Sequence, residues 1–249
     1  MAKQKGNIRI KGTIDDLTFY KLHGKDFVKS KSSLTKAQID TNPNFVRTRE
    51  NMSEFSVSAK DGKLLREALH VYMANAKDNL VTSRLLKTMR AIVKLDPTSP
   101  RGLRTVGTAI VLPTAMATLQ GFNFNVHSSI AAILLAPYTL NTATGAISFA
   151  SLSPLVDIVP PTGATNFSLQ AVWGKVDFVG KVFNVQASTV FDAALTAAAA
   201  PLVLTPTAAP TGTGTNVYLL LVQFYQLVNL VQYPLHSSNS NALAIIGVA

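Results

Sequence analysis

The apolar positions change period along this chain. Asn7-Ile8-Arg9-Ile10-Lys11-Gly12 alternates residue by residue, and Leu17-Thr18-Phe19-Tyr20 and Phe27-Val28 follow, separated by Asp15-Asp16 and His23-Gly24-Lys25. Alternation broken by such turn residues predicts a basic antiparallel hairpin or short meander over residues 7–30. Residues 30–43 are polar and loop-like and end at Pro43. A helical period then takes over. Asn44 is a candidate N-cap for a helix through Phe45, Met52 and Phe55, and Gly62 is expected to separate it from a second helix carrying Leu64, Leu65, Ala68, Leu69 and Tyr72. A third helix is expected from Asp78 to Leu95, with Leu85, Met89 and Ile92 on one stripe and Arg84, Lys87, Arg90 and Lys94 around it. Asp96-Pro97-Thr98-Ser99-Pro100 should end it, because proline lacks an amide donor and disfavours helix in the residue before it.

Beyond Arg104 the texture becomes Thr, Ala, Val, Ser, Asn and Pro, and the pattern predicts strands at 105–112, 114–126, 131–138, 146–150, 153–159, 166–176, 178–190, 216–231 and 242–248. Phe167 to Trp173 alternates as a half-buried strand should. Ala193 to Thr215 is low in complexity and is expected to be a long exposed connection. The fold class expected is therefore α+β: a basic β-hairpin and three-helix region over 1–104, then an all-β, sandwich-like domain over 105–249. Val217 to Leu235 is the longest apolar stretch, but Gln223, Gln226, Asn229 and Gln232 interrupt it. A membrane span needs about 20 mostly apolar residues, so a long buried strand is expected and no membrane span.

Charge sharpens the division. Residues 1–104 hold 21 Lys/Arg and 10 Asp/Glu, whereas the 145 residues that follow hold only Lys175, Lys181, Asp157, Asp177 and Asp192. An ordinary domain is about 25% charged. A soluble monomer needs a charged, patch-free surface to stay apart from its neighbours, so the second part is expected to lie against another molecule. There are no cysteines, which excludes disulfides, thiolate metal sites and thiol nucleophiles. Met1 to Asn7 is polar and basic with no apolar run behind it; it predicts no secretory signal, and hence a cytoplasmic assembly or a released particle.

Gly12-Thr13-Ile14, Leu17-Thr18-Phe19-Tyr20, Phe45-Val46-Arg47-Thr48-Arg49-Glu50-Asn51, Glu54-Phe55 and Gly62-Lys63-Leu64-Leu65-Arg66 together resemble the pattern of a family of uncharacterised bacterial proteins. The resemblance covers about the first 105 residues and the two-part layout. It implies a coherent unit and no chemistry.

No reaction is legible. His23, His70, His127 and His236 make no metal-binding spacing, and no nucleophile elbow, phosphate loop or dinucleotide fingerprint occurs. The expectation is a chain that is not an enzyme, without catalytic or metal residues and without a cofactor. Asp15-Asp16 belongs to a turn; Asp157 and Asp177 are expected to pair with Lys175 and Lys181, since an unpaired carboxylate in an apolar strand is costly. Arg47 and Arg49 should pair along their helix with Glu50 and Glu54.

The leading expectation is a structural subunit that assembles with itself into a tube, filament or shell. Uncharged polar side chains can satisfy hydrogen bonds at large interfaces without charge desolvation. Candidate subunit contacts are Ile8, Ile10 and Phe19 in a basic N-terminal arm and Leu243, Ile245 and Ile246 in the C-terminal strand, joined by strand addition at an edge. The runner-up is a nucleic-acid-packaging capsid or nucleoprotein, its phosphate contacts drawn from Lys3, Lys5, Arg9, Lys11, Lys21, Lys25, Lys29 and Lys31. A surface adhesin or glycan-binding sandwich ranks third, since Trp173 is the single tryptophan.

Overall fold

A computed structural model describes residues 2–6, 8–31, 34–235 and 240–249. The chain is α+β, as expected, and divides into two compact units, residues 1–50 and 51–249.

The first unit is built on an antiparallel sheet of four strands, β1 (Ala2–Lys3), β2 (Gly12–Ile14), β3 (Leu17–Leu22) and β4 (Lys25–Ser30), in the order β1-β4-β3-β2. Both expected turns form. Asp15-Asp16 joins Ile14 to Leu17, and His23-Gly24 joins Leu22 to Lys25. His23 and Gly24 have φ of 47° and 77°, the pair of positive values that matches the twist of a tight hairpin and that glycine adopts without strain. The chain start is not an extended arm: Ala2 and Lys3 pair with Val28 and Phe27. A helix, α1 (Lys36–Thr41), occupies part of the stretch expected to be loop. Thr35 and Gln38 form a reciprocal capping box there, which satisfies two otherwise orphaned amides. Asn42, not Asn44, caps the 3-10 turn at Pro43–Phe45, accepting from the Asn44 amide.

Helix α2 (Val46–Ala68) runs unbroken through Gly62, so the expected separation there does not occur. Gly62 faces Leu85 and Met89 across the second unit's core. Burial on that face offsets the roughly 1 kcal/mol that glycine costs inside a helix. A single turn, α3 (His70–Met73), leads to α4 (Val81–Val93). Leu85, Met89 and Ile92 are fully buried, as their spacing predicts, and each such side chain contributes about 1.5–3 kcal/mol.

Four segments read as strands are instead wholly or partly single helical turns or short helices: α5 (Val106–Ala109), α6 (Pro113–Leu119), α7 (Ile130–Ile133) and, after β5 (Thr139–Asn141) and β6 (Ala146–Leu152), α8 (Pro154–Asp157). Their apolar composition is that of sheet, but at α5, α6 and α8 the residues at the helix start decide. Thr105 accepts from the Thr108 amide at 3.1 Å, Pro113 and Pro154 occupy first-turn positions, and Asp157 accepts from the Ser153 amide at 2.7 Å. The second part is therefore not all-β.

The remaining strands are β7 (Asn166–Asp177), β8 (Val182–Ala187), β9 (Phe191–Ala194), β10 (Ala200–Leu204), β11 (Thr215–Val228), β12 (Val231–Pro234) and β13 (Ala242–Val248). β10 lies inside the stretch read as an exposed connection and pairs with β6, with β5 on the other side, in a three-stranded sheet. The other six form a second sheet centred on β11 and β7. Both faces of that centre are buried. Val217, Leu219, Leu221, Val172 and Val176 join Leu243 and Ile245 in one core with α2, α4, α5 and α6. Leu220, Val222, Phe224, Phe167, Leu169 and Ala171 join Ile147, Phe149 and Leu204 of the smaller sheet in another. This is why β11 reads as a nearly continuous apolar run, and why Phe167–Trp173 is buried on both sides rather than half-buried. The charge boundary at Arg104 falls elsewhere than the division into units, because α2 and α4 bury their apolar stripes against the same sheet as β13. Among the described residues no helix is long and apolar enough to cross a membrane.

Candidate interaction surfaces

In an antiparallel sheet directly paired residues lie on one face, so the register of the first unit sorts its side chains. Lys3, Phe27 and Tyr20 form one row, Lys29, Thr18 and Thr13 a second, and Lys25 and Leu22 a third. Side-chain contacts agree: Tyr20 and Phe27 stack with ring centroids 5.9 Å apart, the Lys29 ammonium lies 5.7 Å from the Tyr20 ring centre, and the Thr13 and Thr18 hydroxyls are 3.4 Å apart. The opposite face carries Ile14, Leu17, Phe19 and Val28, with Lys21 directly across from Asp26. Arg9 also reaches Asp26, at 3.6 Å, and donates to the Gln4 carbonyl. The eight basic residues singled out by sequence thus separate: Lys3, Lys25 and Lys29 share a face, Lys21 and Arg9 belong to the other side with Asp26, and Lys5, Lys11 and Lys31 are exposed outside the strands.

The second surface is the far end of β11. Pairing with β7 stops at Tyr225; beyond it the strand pairs with β12, and the Leu227 amide donates to the Thr165 hydroxyl at 2.7 Å, up to a turn at Asn229-Leu230. Gln226 to Tyr233 are all exposed, and Leu230 is 92% exposed. Register places Val228 opposite Val231 and Gln226 opposite Tyr233, so Val228, Val231 and Tyr233 form an apolar patch on one face, with Leu230 at the tip. No charged residue occurs anywhere after Asp192. β12 is an edge strand.

The C-terminal contact residues fall elsewhere than expected. Leu243 and Ile245 are fully buried in the helix-side core, and Ile246 is half-exposed. Nor is the outer edge of β13 open. The Gly121 and Phe124 amides donate to the Ile245 and Leu243 carbonyls, and the Ile245 amide donates to Phe122, so residues 121–124 occupy that edge. Of the N-terminal trio, Ile8 and Ile10 are exposed and Phe19 is half-buried.

Carboxylates of the second unit act mainly as hydrogen-bond hubs. Asp78 accepts from the Leu80 and Val126 amides at 2.6 and 2.9 Å and pairs with Arg84. Burial raises its pKa, but these donors outweigh it and hold the group below the ordinary 3.8. Asp96 is likewise raised by burial and then held well below 3.8 by the Ser99, Thr105 and Thr98 amides. Asp61 goes the other way. It is fully buried, desolvation dominates, and its pKa rises although Lys181 donates to it. The expected Asp177–Lys181 ion pair is thus replaced. Lys181 reaches across to Asp61 and to the Phe178 carbonyl, while Asp177 takes the Val179 and Gly180 amides and the Thr213 hydroxyl in a turn. Asp157 serves the Ser153 amide. Arg47 pairs with Glu50 at 2.9 Å, as expected, whereas Glu54 accepts from the Gly102 amide.

A cleft of about 530 Å³ beside α4 is lined by Arg84, Lys87, Phe122 and Ser129. The Arg84 guanidinium there is already committed to Asp78 and to the Asn123 and Phe124 carbonyls. His23 and His127 lie in turns or bends, and His70 contacts the Glu67 carbonyl at 3.1 Å; His236 is outside the described residues. Among the described residues no group of three or more His, Asp or Glu side chains is placed to hold a metal ion. No protein-family model matches the chain, and no curated protein or solved structure is significantly similar to it.

Proposed function

We propose that this protein is a structural subunit that assembles with copies of itself, and that the β11–β12 hairpin is the contact arm. The observation that carries the reading is the hairpin end itself: uncharged, apolar on one face, and running past its sheet with Leu230 held in the open. Exposed apolar groups gathered on one element mark an interaction site, and an edge strand offers unpaired amides and carbonyls to a neighbour. The body behind it has little charge to repel a second copy. In this reading the two sheets that share a core act as a sandwich-like platform, and a head-to-tail contact repeats into a tube, filament or shell. Such a particle forms inside the producing cell or as a released product, and the chain performs no catalysis.

Sedimentation and negative-stain electron microscopy of the full chain test this against a Val228→Glu/Val231→Lys variant. The opposite charges face each other across the hairpin, so pairing within it is preserved. Regular assemblies from the wild type and dispersed protein from the variant are expected. A wild type that stays monomeric at micromolar concentration would refute the reading, as would a variant that assembles equally well.

A further inference from the structure

We infer that the Lys3–Lys25–Lys29 face of the N-terminal sheet is a binding site for single-stranded nucleic acid. Three lysines surround a stacked aromatic pair, Tyr20 and Phe27, and the Thr13 and Thr18 hydroxyls lie beside Lys29. Within the strands this face carries no carboxylate; Asp16, across from Lys31, lies in the turn at its far end. The one acidic residue within the strands, Asp26, projects to the opposite face, where Lys21 and Arg9 attend it. Lysines that serve solubility alone are interspersed with acidic residues; here Lys3, Lys25 and Lys29 share a face on which no strand residue is acidic.

The chemistry of the occupant follows from this sorting. A surface on which lysines outnumber carboxylates complements a polyanion, and release of condensed counterions drives its association with phosphates. The aromatic pair distinguishes among polyanions. Unpaired bases present π-faces that stack on Tyr and Phe, whereas the bases of a duplex are already stacked on each other. An aromatic platform in the middle of a sheet, with cations at its margins, tracks the backbone of a single strand and reads little of its sequence. The site lies on different residues from the apolar hairpin and does not depend on self-assembly.

Fluorescence anisotropy of a labelled oligothymidylate with the full chain tests the site over a salt series. Binding should weaken with salt. The Lys25→Glu/Lys29→Glu variant should bind at least about tenfold more weakly and lower the slope of log K against log salt by about 1.4, about 0.7 for each phosphate no longer neutralised. Lys21→Glu, on the other face, should stay within about twofold of the wild type. Phe27→Leu keeps an apolar strand residue and should weaken binding several-fold with the slope unchanged. Equal losses for Lys21→Glu and the double variant would overturn the assignment. So would equal affinity for a duplex of the same length, or binding to phosphatidylserine vesicles with none to the oligonucleotide. Should Phe27→Leu fail to fold, the exposed lysine variants still decide.

Discussion

Two hairpins in this chain turn with the same backbone and present opposite chemistry. His23 and Gly24, between β3 and β4, have φ of 47° and 77°; Asn229 and Leu230, between β11 and β12, have 51° and 64°. The first hairpin carries lysines and an aromatic pair, and its glycine sits where a left-handed residue is needed. The second carries no charge, and a leucine sits at the equivalent place. Left-handed backbone costs an L-residue about 1–2 kcal/mol, and this leucine recovers none of that by burial, being almost wholly exposed. On the proposed reading, its contribution comes from contact with a neighbouring copy. The comparison also separates two kinds of apolar residue near the C-terminus: Leu243 is fully buried in the core, whereas Leu230 is almost wholly exposed.

The largest expected effect tests that separation. Leu243→Ala should destabilise the fold by about 2–5 kcal/mol in urea denaturation, while Leu230→Ala should change it by less than about 0.5 kcal/mol and weaken assembly. Similar losses of stability for both would collapse the distinction. Exchanging the turn residues comes next. Gly24→Leu should cost about 1–2 kcal/mol in thermal denaturation of the β3–β4 hairpin region followed by amide exchange. Leu230→Gly should relieve strain of about 1 kcal/mol while assembly falls, so stability and association should move in opposite directions.

Charge gives the comparison a pH dependence. Asp78 and Asp96 titrate below 3.8 in the fold, so their stabilisation is complete above that value and is lost as pH falls through their depressed folded values. Asp61 titrates above 3.8. Its ionised form is penalised in the fold, a cost that is present at neutral pH and relieved as pH falls through its raised value. Wild type should therefore gain stability relative to Asp61→Asn on acidification from neutral pH, read from denaturation midpoints. A difference independent of pH would show that Asp61 titrates alike in the folded and unfolded chain. The smallest effect belongs to the exposed lysines: Lys25→Glu should shift stability by less than about 0.5 kcal/mol while altering the salt response of ligand binding.

Glycine and period explain what the sequence disclosed. His23-Gly24 announced its turn, and Leu85, Met89 and Ile92 announced their helix, because local preference and tertiary burial agree there. Asn229-Leu230 did not, since leucine is the wrong residue for a left-handed turn, and 216–231 read as one strand. The segments 105–112, 114–126, 131–138 and 153–159 misled for a related reason. Their apolar composition is shared by strands and by short buried turns, and in three of the four Thr105, Pro113 and Pro154 at the helix starts outweigh it. The basic cluster was visible, but its sorting by face is a matter of register, which Asp15-Asp16 and His23-Gly24 fix only once both turns are known to span two residues. Lys181 paired with Asp61 rather than with its neighbour Asp177 because the turn at Val179 and Gly180 had already claimed Asp177. No local pattern relates α2 to the β7–β8 turn.

β11 stands between two cores, and that position has a kinetic consequence. Leu64 and Leu65 of α2 share a core with Leu243 and Ile245, which reach it only when β13 pairs with β11. Neither core can close on locally formed structure, because each draws its layers from distant parts of the unit. Folding dominated by such pairings is slow. Throughout that delay a segment with almost no charge exposes both faces of its longest strand, and little electrostatic repulsion keeps it from other chains. The rate at which β11 finds β7 and β13, set against protein concentration, thus sets how long its open faces stand exposed to other chains.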